Sequence, residues 1–309
     1  MILICDLGLS LKKQFIFLEK TTNKNDFLAD NSLITPIGEG FNMARVLLSF
    51  GEDHTLLGFS GGIVGENIRY ILNDSLINLN LIPIKEKSSE QVNLDFLDNK
   101  INIRDRQPKI SREEVANFYT EYKEGLNLSE VICLVGEHPF NIPEDMAYNI
   151  VDLSIKWGRQ ILLAVKDKSF QNAIEASPYV LMISKSILED ITNLSLDFET
   201  EIIKACRYLF DKGIKHIIID NNEKGLIILN EEYGYRVSVP FKYGKGELSY
   251  GGLLGGLALA MSRNYDMETV CKLSYACGLV NFEDKNLELE VTDIKALMKE
   301  IELARFNNI

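Results

Sequence analysis

The stretch Pro36-Ile37-Gly38-Glu39-Gly40-Phe41-Asn42-Met43-Ala44-Arg45-Val46-Leu47-Leu48-Ser49-Phe50-Gly51, followed after three residues by Thr55-Leu56-Leu57-Gly58-Phe59, decides the fold. A glycine turn opens a helical pattern from Phe41 to Phe50, Gly51 offers the left-handed residue that ends it, and a short apolar strand comes next. The same alternation extends in both directions. Buried strands are predicted at Ile2 to Cys5, Thr55 to Phe59, Val131 to Val135, Ile161 to Val165, Tyr179 to Ile183 and His216 to Ile219, and a second helix at Thr200 to Phe210 is closed by Gly213. Strand and amphipathic helix in turn mean βαβ units, so the class is α/β with a mostly parallel sheet covered by helices on both faces.

Two segments break this rhythm. Gln14 to Ile37 and Ser89 to Ile103 alternate β-branched, aromatic and polar residues, as in Gln91-Val92-Asn93-Leu94-Asp95-Phe96. They read either as a small β-sheet projecting from the core or as a pair of surface hairpins. No repeat, low-complexity tract or linker divides the chain, so residues 1–309 read as one domain carrying these two insertions.

Composition narrows the class of function. Of 309 residues 46% are hydrophobic and 25% charged, and 33 Lys and Arg against 45 Asp and Glu give a net charge of −12. Such an acidic chain is a poor ligand for nucleic acid or anionic membrane surfaces. No apolar run reaches the roughly 18 residues of a membrane span, and the amino terminus lacks the pattern of a leader, so a cytoplasmic location is expected. Five cysteines without C-x-x-C spacing read as small buried hydrophobes, and His54, His138 and His216 are too scattered to suggest a metal cluster.

Glycine turns mark where chemistry could sit. The segment Gly244-Lys245-Gly246-Glu247-Leu248-Ser249-Tyr250-Gly251-Gly252 leads into an apolar helix, whose free N–H groups and dipole suit phosphate oxygens. Glu247 then stands either as a general base beside that anion hole or only as a partner for the helix dipole. Gly38-Glu39-Gly40 precedes another helix, and Asn42 offers both donors and acceptors to a polyhydroxylated ligand. Gly58 to Glu66 forms a third turn. Open α/β sheets bind ligands at the carboxyl ends of their strands, where these turns fall. Neither a phosphate-binding G-x-x-x-x-G-K-[ST] nor a strand-linked G-x-G-x-x-G is present, which argues against a dinucleotide dehydrogenase.

Taken in order, Gly38 to Asn42 with Ala44-Arg45-Val46-Leu47, Leu57 to Gly62 with Gly65-Glu66, Gly136-Glu137-His138-Pro139, Gly244 to Leu257 and Ala276-Cys277-Gly278 resemble the phosphofructokinase-B carbohydrate kinases of ribokinase-like fold. The resemblance is nearest to the 1-phosphofructokinase and tagatose-6-phosphate kinase branch and covers essentially the whole chain. It implies a three-layer α/β/α sandwich, transfer from ATP with Mg to a sugar or sugar-phosphate hydroxyl, a β lid made of the two insertions, and a homodimer through that lid.

Carried over residue by residue, the resemblance makes Glu247 the catalytic base and Gly244, Lys245 and Gly246 the anion hole. Ser10, Gly38, Glu39, Gly40, Asn42, Gln91 and Asn93 fall on acceptor positions, and Ser184, Asp220, Gly225 and Gly278 on nucleotide positions. Several depart from the family pattern. Glu247 replaces an Asp, and its extra methylene moves the carboxylate by about 1.5 Å. Glu39 replaces a Lys, Gln91 an Arg, and Ser10 an Asp; the K-P-N-x-x-E motif reads Met182-Ile183-Ser184-Lys185-Ser186-Ile187 here, and of S-x-G-x-x-G only Gly225 is kept. Two readings follow. The chain is a kinase whose acceptor carries no phosphate, because two cations are missing, or it is an impaired member that binds a small ligand or a protein.

Overall fold

The computed structural model describes residues 1–18, 27–73, 75–136, 139, 142–166, 168–240, 248–280, 282 and 288–307. In chain order the elements begin β1 (Ile2–Asp6), β2 (Ser10–Ile16), β3 (Asn31–Ile37), α1 (Glu39–Ser49), β4 (His54–Gly61), α2 (Gly62–Asn73), β5 (Asn78–Ile84), β6 (Glu90–Asp95), β7 (Lys100–Arg104) and α3 (Arg112–Leu128). They continue with β8 (Val131–Val135), α4 (Met146–Lys156), β9 (Gln160–Val165), β10 (Val180–Ser184), α5 (Lys185–Thr192), α6 (Glu199–Asp211) and β11 (His216–Asp220). The last are β12 (Leu226–Leu229), β13 (Tyr233–Ser238), α7 (Tyr250–Ser262), α8 (Met267–Leu279), α9 (Val291–Glu300) and β14 (Glu302–Asn307).

Ten strands form one sheet in the order β14-β13-β12-β11-β10-β9-β8-β1-β4-β5. From β11 to β5 every pairing is parallel, while β12, β13 and β14 add an antiparallel margin. The apolar run of β1 shows why both faces need helices. Ile2 and Ile4 pack in a core shared with α1, α7 and α8, whereas Leu3 and Cys5 point into a second core with α3, α4 and α6. A strand buried on both sides reads as a continuous hydrophobic run, and β1, β8 and β11 do. Helix α7 is buried from Tyr250 to Ala260, which its apolar circumference without a polar stripe requires. Among the described residues no helix is long and apolar enough to cross a membrane.

A second sheet, in the order β3-β2-β6-β7, takes in the two interrupting segments. It starts at Ser10 rather than Gln14, because Ser10 already pairs with Ile37, and it reaches Arg104, one residue past Ile103. The first rungs of β2 carry Leu11, which is buried in the core, so that stretch lacks the exposed alternation that marks the rest. Gly51 and Gly213 do adopt positive φ, +65° and +102°, where their helices stop.

Candidate active site at the carboxyl edge of the sheet

Strand β1 delivers Asp6 to the middle of the sheet's carboxyl edge, where it is fully buried. Its Oδ1 accepts the N–H of Gly8 and its Oδ2 the N–H of Gly40, both at 2.9 Å. Helix α1 has no side-chain cap from Gly38, so Asp6 satisfies its first turn from another strand. A methyl group on Gly40 would lie 2.4 Å from Asp6 Cβ, and one on Gly136, where φ is +95°, 2.4 Å from Oδ1. Glycine is needed here so that backbone can close on a carboxylate. Burial pushes the Asp6 carboxyl up to about 7, and the nearby Glu39 adds to this, while the amides of Gly8, Gly40 and Phe41 pull the other way.

Glu39 is the hub of the site. Its Oε2 accepts the Gly251 N–H at 2.7 Å and the Ser249 hydroxyl at 2.8 Å, and its Oε1 forms an ion pair with Lys166. Ser249 caps α7 by accepting the Gly252 N–H at 3.1 Å, and its oxygen also accepts from Asn42 Nδ2 at 3.1 Å. Lys166 follows directly on β9 and stands 5.0 Å from the ring centre of Tyr250. The Tyr250 hydroxyl in turn donates to Asp220 Oδ2 at 3.0 Å. Burial and the Asp220 charge raise that phenol far above its usual range, so it stays a donor. One connected set of contacts thus runs from the start of α1, over the start of α7, to the end of β11.

That geometry corrects the charge argument made from the sequence. Glu39 does replace a cation, but Lys166 comes from β9 to neutralise it, so the sign of the turn is not reversed. The partner is 127 positions away and no local pattern announces it.

On the second sheet, Gln91 and Asn93 share one face of β6, and Gln91 Nε2 donates to Asn93 Oδ1 at 2.6 Å. Ser10 is buried; its hydroxyl donates to the Gly8 carbonyl at 2.9 Å and lies against Ser89 Oγ, so its proton is already committed. Of the residues expected to face a nucleotide, Ser184 and Asp220 are register partners at the ends of β10 and β11. Ser184 caps α5 through the Ile187 N–H at 3.3 Å, and Asp220 Oδ1 accepts the Asn222 N–H at 2.9 Å. Gly225 has φ +84°, and a methyl there would meet the Val237 carbonyl at 2.2 Å. Gly278 accepts the Ser249 N–H at 2.9 Å through its carbonyl, and its Cα packs against the start of α7. Gly225 is accounted for by close backbone approach, and Gly278 by the packing of Leu248 and Leu253 against it.

Gly244, Lys245, Gly246 and Glu247 lie outside the described residues. Among those described, no group of three or more His, Cys, Asp or Glu side chains is arranged to hold a metal. The polar groups at the edge are the carboxylates of Glu39 and Asp220 and the ammonium of Lys166, which suit a phosphate and a cation carried by it, while the Gly251 and Gly252 amides at the start of α7 are taken by Glu39 and Ser249. Asp6, Lys166, Ser249 and Tyr250 are the members that sequence reasoning passed over. Ser249 could have been read from its place three residues before Gly252, as a helix cap.

Residues 16–243 match the model of the pfkB family carbohydrate kinases, and the chain belongs to that family, whose members are phosphotransferases with an alcohol group as acceptor. The 1-phosphofructokinase of Borreliella burgdorferi is 26% identical over 266 residues, covering 85% of this chain and 86% of the relative. The 1-phosphofructokinase of Bacillus subtilis is 22% identical over 275 residues, with 87% and 88% covered. Among solved structures, phosphofructokinase-2 from Escherichia coli in complex with fructose-6-phosphate superposes with a TM-score of 0.80 at 16% identity, covering 96% of this chain and 98% of that one. The α/β/α arrangement expected from the sequence is therefore that of ribokinase-like kinases.

Proposed function

We propose that this chain is a cytoplasmic kinase, dependent on ATP and Mg, that phosphorylates a hydroxyl of a sugar phosphate in the manner of the 1-phosphofructokinase and tagatose-6-phosphate kinase group. The observation that carries this reading is the set of contacts joining Glu39 and Asn42 to Ser249 and Gly251, and Tyr250 to Asp220. It joins the turn expected to face the acceptor and the strand end expected to face the nucleotide to the same helix start. Glu247 stands two residues before Ser249 in sequence and is our candidate base. It takes the proton of the attacking hydroxyl as the new O–P bond forms and ADP leaves with the electrons of the bond that breaks. ATP supplies the phosphoryl group, and Mg offsets the charge of its phosphates. Lys166, held beside the start of α7 by Glu39, orients phosphate oxygens.

A homodimer is part of the proposal. On the face of the second sheet opposite Gln91 and Asn93, Ile34, Lys13, Val92 and Ile103 form one row, in which Lys13 is paired with Glu90 and Ile34 and Ile103 are 47% and 56% exposed. The exposed isoleucines of that row are better covered by a second copy than by water.

The experiment is an ATP-consumption screen over hexoses, pentoses, hexose phosphates and nucleosides, with Glu247→Ala as background. Turnover of a hexose phosphate that disappears in Glu247→Ala is the expected result. ATP binding without turnover of any acceptor supports instead a family member that only binds ligand.

A further inference from the structure

The large sheet has a second edge. His216 opens β11 and Asp220 closes it, so the amino-terminal ends of β9, β10 and β11 lie about 13 Å along the strands from the catalytic edge. Helix α7 covers a similar distance: it starts at Tyr250, whose hydroxyl meets Asp220, and reaches Met261 about 17 Å further on. Between that end of α7, the start of α8 and the beginnings of the strands lies a cavity of about 220 Å³. Its floor is aliphatic core, in which Val180, Ile218 and Ile228 are each no more than 3% exposed. Interiors packed like crystals leave few spaces of this size, and an apolar cavity of about 150 Å³ already accepts a benzene ring.

The lining is aromatic in its wall and polar at its mouth. The rings of His216 and Tyr179 lie 5.3 Å apart at 59°, and Met261 and Met267 add thioethers, which adapt to a flat ring. No Asp, Glu, Lys or Arg lines the cavity, whereas the catalytic edge presents Glu39, Lys166 and Asp220. Burial holds the His216 imidazole below the usual histidine range, so near pH 7 one ring nitrogen donates and the other accepts. Neither that ring nor the side-chain amides of Gln160 and Asn264 form a hydrogen bond with another described residue. An ion entering the cavity would give up its hydration without meeting an opposite charge. An uncharged ring with donors and acceptors on its edge would not.

We infer that this cavity is a second ligand site, which binds a small uncharged heteroaromatic ring between the wall of His216 and Tyr179 and the end of α7, with the polar edge of the ring turned to Gln160 and Asn264. The site stands apart from the proposed transfer reaction, whose substrates are anions. A nucleobase and an indole share the required chemistry.

Ligand-detected NMR titrations of the full chain with adenine, indole and indole-3-acetate, with and without saturating Mg-ATP, test the inference. At least one of the two neutral rings should bind with a Kd of about 1 mM or tighter, unaffected by Mg-ATP, and the charged indole-3-acetate should bind about 10-fold more weakly than the tighter of them. Adenine ahead of indole assigns a nucleobase, and the reverse order an indole-type ring. Ala260→Leu puts a larger side chain into the cavity and should abolish binding. His216→Leu keeps the bulk but removes the ring and its nitrogens, and should weaken binding about 10-fold. It carries the test if Ala260→Leu does not fold. Absence of binding by either neutral ring, displacement by Mg-ATP, binding unchanged in the variants that fold, or equal binding of indole-3-acetate overturns the inference.

Discussion

Glu39, in the first turn of α1, accepts the N–H of Gly251, in the first turn of α7, at 2.7 Å, so the positive end of one helix is met by an acid that opens another. A substitution at Glu39 therefore acts on the helix pair as well as on the turn. Glu39→Gln should destabilise the fold by about 1–3 kcal/mol, since charge-assisted hydrogen bonds to Gly251 and Ser249 are weakened and Lys166 loses its counter-ion. Glu39→Lys should cost more, because it sets an ammonium against Lys166 and the α7 amides. Urea midpoints of the three proteins check the order, and a Lys variant more stable than wild type contradicts it.

Gly251 has no room for a side chain. A methyl group there would fall 1.7 Å from the Glu39 carbonyl oxygen, a backbone atom that cannot rotate away. Gly251→Ala should push α1 and α7 apart and cost at least about 3 kcal/mol, as strong overpacking does. Gly158→Ala is the control. Gly158 has φ +69° but open space around it, so only the left-handed backbone is penalised, by about 1 kcal/mol. Thermal unfolding of both variants should show a clear gap, and similar losses would mean that the helix contact yields.

Asp6 gives the fold a pH dependence with a definite sign. Its carboxyl moves from 3.8 in the unfolded chain to about 7 in the folded one, so the native state holds the extra proton between those values. Stability contributed by this group is full below pH 3.8, declines as pH rises towards 7, and is level above that, by up to about 4 kcal/mol in all. Asp6→Asn removes the titration. The difference in unfolding free energy between wild type and Asp6→Asn should therefore shift in favour of the variant from pH 5 to pH 8, and a difference that is flat with pH refutes the assignment.

Tyr250→Phe deletes the donor to Asp220 and nothing else of size. Asp220 is then left without that partner at the end of β11. The expected result is a several-fold rise in the KM for ATP, with little change in the KM for the acceptor. An equal change in both would place the hydroxyl's effect on α7 as a whole.

Much of the α/β architecture could be read from the sequence because parallel interior strands are apolar on both faces. Val131 to Val135 is read to the residue, and the other interior strands to within two at either end. The antiparallel margin was not legible. β14 reads Glu-Leu-Ala-Arg-Phe-Asn, four of whose six residues are exposed, and only its pairing with β13 makes it a strand. In the site, the turns Gly38 to Asn42 and Ser249 to Gly252 announce themselves by glycine and by cap chemistry. Lys166 does not, since a lysine just after a strand is ordinary until its neighbour across the fold is known. For the same reason, the charge counted at Glu39 from the sequence leaves out Lys166, which neutralises it.

The place of β1 between β4 and β8 bears on how the chain is made. Ile2 to Asp6 are made before either neighbour: one edge of that strand waits for residues 54–58 and the other for residues 131–135. A nascent chain shorter than this carries an apolar ribbon, Ile-Leu-Ile-Cys, with an unpaired edge, which invites pairing with other chains. Its sealing also sets Asp6 in place, so the buried carboxylate that anchors α1 is fixed only once β8, more than a hundred residues further on, has been synthesised.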